Sequence, residues 1–131
     1  MQAEISQKDG LKLTILPCPS GRPGCVLIRL TGTALQAEIL SEKDSAGDVQ
    51  QPLDEFFMLV AQLEEGITQD WLSESQDLAF SASRDPLFPG LVFLRIYLGS
   101  TSDDDCDWQI NGSLLLAPTQ VALFAEKLKQ I

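Results

Sequence analysis

The stretch from Leu91 to Leu98 constrains the fold most. Val92, Leu94, Ile96 and Leu98 fall on one side of an extended chain, and Leu91, Phe93, Arg95 and Tyr97 on the other. Successive side chains of a strand point to opposite faces, so four aliphatic residues at period two predict a strand with one fully buried side. A strand this apolar reads as a central one, with neighbours on both edges. Pro89-Gly90 opens it, and the polar run Ser100–Asp107 closes it.

The same period recurs along the chain. Residues 3–8 alternate weakly and end at Asp9-Gly10, a two-residue hairpin signal. Leu11, Leu13 and Ile15 alternate with Lys12 and Thr14; Val26, Ile28 and Leu30 alternate with Leu27 and Arg29; Leu35, Ala37 and Ile39 follow beyond Gly32. The prolines and glycines of Pro17–Gly24 make a loop. Residues 41–51 read as a polar linker. Leu78, Phe80 and Ala82 form a further strand, and Trp108 to Leu116 the last. Only two segments carry the helical period. Pro52 opens the first, with Asp54 and Glu55 in its first turn and Leu53, Phe56, Phe57, Val60 and Leu63 on one face; Gly66 ends it. Pro118 or Thr119 opens the second, whose stripe is Val121, Phe124, Leu128 and Ile131. Residues 67–76, a mostly polar stretch holding Trp71, read as a connection. The sequence therefore predicts a single α+β domain over 1–131, of order ββββ-α-βββ-α. An antiparallel sheet of about six to seven strands would carry both helices on one face.

Charge narrows the class of partner. The chain has a formal net charge of −10 and no histidine, and the excess is confined to its middle. Residues 42–107 hold fifteen acids against Lys43, Arg84 and Arg95, whereas the flanks are close to neutral. Scattered bases do not make a phosphate-binding surface, so nucleic acid is not an expected ligand. Without histidine the serines and cysteines lack their usual activating base, no phosphate-binding glycine loop is present, and no enzymatic activity, cofactor or metal site is expected. The N-terminus has no apolar core of a signal peptide, and no apolar run reaches the ~18 residues of a membrane span, so a cytoplasmic protein away from membranes is expected. On that reading Cys18, Cys25 and Cys106 are reduced thiols; a Cys18–Cys25 bridge would accompany export.

Two acidic clusters are candidate contact surfaces. Asp103, Asp104, Asp105 and Asp107 are the denser. Counted as a calcium loop from Asp103, the required glycine would be Trp108 and the closing glutamate Leu114, so the calcium pattern fails. The alternatives for the loop are a solvated turn that keeps a sheet edge soluble, an anionic contact surface, and a looser Ca²⁺ or Mg²⁺ site outside that pattern. Glu64, Glu65, Asp70, Glu74 and Asp77 form the second cluster, with Trp71 within it. Exposed, that tryptophan would anchor an interface; packed over the sheet end, it would be core. The partner implied by either cluster is a basic protein.

From Pro52 onward the chain resembles a family of small bacterial proteins of unassigned activity, and is similar in layout to the wall-associated-toxin immunity family. The residues that carry this are Phe56-Phe57, Trp71-Leu72-Ser73, Asp77-Leu78-Ala79-Phe80, Asp85, Gly90-Leu91-Val92, Trp108 and the closing helix Leu123–Leu128. Where relatives carry Gly-His before the apolar strand, this chain has Pro89-Gly90. The shared positions are fold determinants and assign no contact residue. The resemblance implies a non-enzymatic immunity protein that blocks a cognate toxin. A second expectation is a secretion chaperone or adaptor, since those proteins are similarly small and acidic with an amphipathic C-terminal helix, although they usually begin with a helix.

Changing Asp103, Asp104, Asp105 and Asp107 together to Asn is expected to slow association with the basic partner and to flatten its salt dependence, with the fold retained. Stopped-flow association at two ionic strengths checks this. An unchanged rate and salt slope would leave the loop a solvated turn and move recognition to the cluster around Trp71.

Overall fold

The computed structural model describes residues 1–8, 10–99 and 108–131. The loop carrying Asp103, Asp104, Asp105, Cys106 and Asp107 lies outside the described residues. Eight strands and two helices are formed. The first half holds β1 (Ala3–Ser6), β2 (Lys12–Pro17), β3 (Cys25–Gly32), β4 (Leu35–Glu42) and α1 (Leu53–Ala61). The second holds β5 (Thr68–Leu72), β6 (Leu78–Ser83), β7 (Val92–Gly99), β8 (Gln109–Leu116) and α2 (Pro118–Leu128). Among the described residues no helix is long and apolar enough to cross a membrane.

The α+β class, the two helices and the antiparallel pairing are as expected. The single sheet of six to seven strands is not. The strands form two four-stranded meanders, β1-β2-β3-β4 and β5-β6-β7-β8. The chain leaves the first sheet after β4 and re-enters through α1. Among the described residues only isolated bridges, Asp44↔Pro52 and Ser45↔Ser73, mark that passage. The eighth strand is β5, within the stretch read as a connection. Thr68, Gln69 and Asp70 are polar, Leu72 is apolar but exposed, and Trp71 is its one buried side chain, so hydrophobic alternation has almost nothing to register.

Each sheet turns one face inward. In the first, the register aligns Ala3, Ile15, Ile28 and Ile39 in one cross-strand row and Ile5, Leu13, Leu30 and Ala37 in the next. In the second, Trp71, Phe80, Ile96 and Gly112 make one row and Ala82, Leu94 and Leu114 another. Both inner faces and both helices join one apolar cluster. The helices are therefore not stacked on one face of one sheet. α1 and α2 pack on each other, and α2 also packs on β1. Phe57 of α1 meets Phe80 of β6 edge-on at 5.1 Å and Phe124 of α2 at 4.9 Å, while Phe56 stacks on Phe80 at 6.0 Å. At Gly112 of β8, side chains of the first half approach the backbone closely. A Cβ there would lie 2.5 Å from Leu11 Cδ1 and 3.5 Å from Leu30 Cδ2.

The helix ends follow their local chemistry. Pro52 stands at the N-cap of α1, with Asp54 and Glu55 in the first turn. Gly66, at φ +84°, turns the chain out of α1 and donates its N–H to the Arg84 carbonyl at 2.8 Å, a backbone conformation that glycine adopts without steric cost. Gln120 Oε1 accepts the Ala117 N–H at 3.1 Å, which satisfies one otherwise unpaired donor where α2 begins.

Phe57, fully buried among three other aromatic rings, is expected to cost about 3–5 kcal/mol when cut to Ala. Leu123→Ala, at a side chain 65% exposed on α2, should change stability by less than about 0.5 kcal/mol. Urea titration of both variants checks the assignment. Equal losses at the two positions would contradict it.

Candidate binding surface

With helices and core on the inner side, no described element covers the outer face of the second sheet. Its side chains follow from register. Asp70, Ser81, Arg95 and Ser113 form one row, flanked by Leu72, Ala79, Tyr97 and Asn111 on one side and Thr68, Ser83, Phe93 and Leu115 on the other. On β6 the outward positions are all small: Ala79, Ser81 and Ser83. On β7 they are all large: Phe93, Arg95 and Tyr97. Small residues between larger ones make a trough, and a concave groove of about 1000 Å³ lies there, with Leu11 among its lining residues. Phe88 stacks on Phe93 with ring centroids 6.1 Å apart, and the Arg95 guanidinium lies 5.5 Å from the Phe93 ring centroid. Arg95 is exposed and makes no ion pair with any described residue.

Of the two edge strands of this sheet, β5 and β8, β5 is the acidic one, and at its end the Leu72 carbonyl accepts the Ala46 N–H at 2.9 Å. Glu64 and Glu65 lie in the turn before β5, Asp70 on its outward side, and Glu74 in the turn after it; all four are exposed. Ile67 and Leu72, 49% and 41% exposed, lie on either side of Asp70 among them. Apolar contact points within a charged border are the usual anatomy of a protein interface. Asp70 and Leu72 also line the groove, so edge and trough form one continuous surface.

Trp71 does not belong to that surface as an anchor. Its side chain is 3% exposed, because the alternation that turns Asp70 and Leu72 outward turns Trp71 inward. Its ring centroid lies 5.9 Å from that of Phe80, and its indole N–H donates to the Gln51 carbonyl at 2.9 Å. Of the two readings of Trp71 the packed one holds, and its place among the contact residues is corrected: Trp71 holds β5 against the core from beneath. Of the remaining sequence candidates, Glu64, Glu65, Asp70 and Glu74 are brought along one edge, and Asp103, Asp104, Asp105 and Asp107 lie outside the described residues.

A polar cluster fixes one end of β5. Asp77 Oδ1 accepts from the hydroxyls of Ser41 at 3.2 Å, Ser73 at 2.9 Å and Ser75 at 2.7 Å. Glu42 accepts the Ser75 N–H at 2.8 Å. Ser41 and Glu42 belong to β4, so this cluster ties the first sheet to the β5–β6 turn that carries Glu74. Ser73 is fully buried, and its oxygen also accepts the Leu78 N–H at 3.2 Å. Among the described residues no group of three or more His, Cys, Asp or Glu is placed to hold a metal ion. Set beside family models, curated proteins and solved structures, the chain matches none of them.

Asp77→Ala takes the carboxylate acceptor from Ser41 and Ser73, while the Ser75 hydroxyl keeps Glu42 Oε2 at 3.1 Å, and should cost about 1–3 kcal/mol. Asp77→Asn retains an acceptor oxygen and should cost less. Thermal unfolding of the two variants gives the comparison. A loss from Asn as large as that from Ala would show that the charge, and not the acceptor, holds the turn.

Proposed function

We propose that this chain is a non-enzymatic binding protein of the immunity type, which captures and neutralises a basic toxin through the acidic β5 edge and the trough beside it. The observation that carries the reading is the joining of four exposed acids, two exposed apolar side chains and a groove of about 1000 Å³ into one surface. A net charge of −10 draws a basic partner in, and attraction of this kind acts chiefly on the association rate. Contact then proceeds by burial. Ile67 and Leu72 meet apolar side chains of the partner, the β5 acids pair with its lysines and arginines, and a protruding segment enters the trough over Ala79 and Ser81.

The trough supports a second reading, a secretion chaperone or adaptor. Walls bearing Phe93, Tyr97 and Leu72 over a floor of small residues suit an extended effector segment. The two readings differ in the state of the partner. An immunity protein binds a folded toxin and abolishes its activity; a chaperone holds a segment that is not folded.

The test uses the basic partner recovered from the native cell, with the quadruple variant Glu64→Gln, Glu65→Gln, Asp70→Asn, Glu74→Gln compared against wild type. At low salt the association rate should fall about tenfold or more, and the difference should shrink as salt rises. Glu126→Gln, on α2, serves as the control and should leave the rate unchanged. Toxin protection in the cell should fall with the rate. Wild-type rates and protection in the quadruple variant would show that this edge is not the contact surface.

A further inference from the structure

Cys18 and Cys25 bracket the turn between β2 and β3. The β2–β3 ladder runs from Lys12↔Thr31 to Pro17↔Val26, and one step further along the same register Cys18 lies opposite Cys25. Directly opposed residues of an antiparallel pair have Cα atoms about 4.5–5.5 Å apart, inside the range of about 4.4–6.8 Å that a disulfide spans. The turn beyond them is tightly closed. The Gly21 N–H donates to the Cys18 carbonyl at 2.8 Å, and the Cys25 N–H to the Arg22 carbonyl at 3.4 Å. Gly21 and Gly24 hold φ of +73° and +75°, and these left-handed residues let so short a segment reverse direction. Both thiols are free, and each residue is 7% exposed, at the rim of the core. Cys18 Sγ lies 3.1 Å from Ser20 Oγ.

We propose that Cys18 and Cys25 are a peroxide-reactive dithiol, which closes reversibly to an intramolecular disulfide. The two sulfurs have different parts. The Cys25 thiol and then the Ser20 hydroxyl, hydrogen-bonding to Cys18, lower it to about 7, so a large share is thiolate at neutral pH. Burial, and then the Cys18 sulfur beside it, raise Cys25, which keeps its proton. Cys18 thiolate attacks one oxygen of hydrogen peroxide and the O–O bond breaks. Cys18 becomes a sulfenic acid, and the departing hydroxide takes a proton to leave as water. Cys25 sulfur then attacks the Cys18 sulfur. The S–S bond forms, the S–O bond breaks, and the leaving hydroxide departs as water with the Cys25 proton. Two thiols are oxidised by two electrons and one peroxide is reduced to two waters. A small dithiol reverses the closure by exchange.

The test treats the full reduced chain with one equivalent of hydrogen peroxide near neutral pH, followed by alkylation and peptide mapping. The expected product is a monomer about 2 Da lighter, with Cys18 and Cys25 protected from alkylation, Cys106 still alkylated, and all three thiols restored by dithiothreitol. The rate should rise several-fold from about pH 6 to about pH 8 as Cys18 ionises. Cys25→Ser should stop at a sulfenic acid on Cys18, trapped by dimedone. Cys18→Ser should leave Cys25 alkylatable. Far-ultraviolet dichroism establishes that both variants fold, and the wild-type mass stands as an independent readout if either does not. A bridge to Cys106, a disulfide-linked dimer, or wild-type oxidation of Cys18 that leaves Cys25 alkylatable would overturn the assignment.

Discussion

Phe80 sits where three parts of the molecule meet. Its ring stacks on Phe56, takes the edge of Phe57 and lies beside Trp71, while Phe57 in turn meets Phe124. Four phenylalanines and a tryptophan, all nearly or fully buried, thereby connect α1, α2, β5 and β6. Aromatic side chains bury more area than any others and prefer these edge-on and offset geometries. Which way the second sheet faces follows from that cluster. With Phe80 and Trp71 turned in toward the helices, Ser81, Asp70 and Leu72 turn out, because neighbours along a strand cannot share a face. The core thus determines which residues are left to meet a partner.

Charge contributes to this molecule in a different place. The ion pairs of the described residues, Lys12–Glu4, Arg29–Glu38 and Lys129–Glu126, all lie on the surface with side chains a third or more exposed, where such pairs add little to stability. None of them involves the β5 acids. Stability rests on apolar burial and on buried hydroxyls such as Ser73, and the excess negative charge is free to act on what approaches. A short edge strand with Asp70 on it and Glu64, Glu65 and Glu74 in the turns on either side also resists pairing with another sheet. On the proposed function the same residues would select a basic partner, since a like-charged edge is repelled by them.

How far the sequence could be read depended on how strongly each segment separates its two faces. Val92, Leu94, Ile96 and Leu98 announce β7, and the helical stripes of Phe56, Phe57 and Val60 and of Val121, Phe124 and Leu128 announce α1 and α2. Strand β5 was illegible because Thr68, Gln69 and Asp70 are polar on both faces and only Trp71 points to a core. The division into two sheets was hidden for a related reason: antiparallel meanders look alike whether or not the fourth strand pairs with the fifth. The acids Glu64, Glu65, Asp70 and Glu74 were visible as a cluster by simple proximity, but their place on a sheet edge was not. The groove has no signature in the sequence read alone. Its signal, small outward residues on β6 beside large ones on β7, acquires meaning only once Ser81 is known to pair with Arg95. The opposition of Cys18 and Cys25 likewise needs the β2–β3 register, whereas sequence alone could tie a bridge only to export.

The central claim is that β5 and the outer face of the second sheet meet the partner. Amide hydrogen exchange of the full chain, alone and saturated with its captured partner, tests it most directly. Protection on binding should be concentrated in residues 64–74, with weaker protection in 79–83 and 93–97, and the first sheet should exchange as it does in the free chain. Protection confined to β1–β4, or to residues 100–107 with no change across β5, would contradict the account.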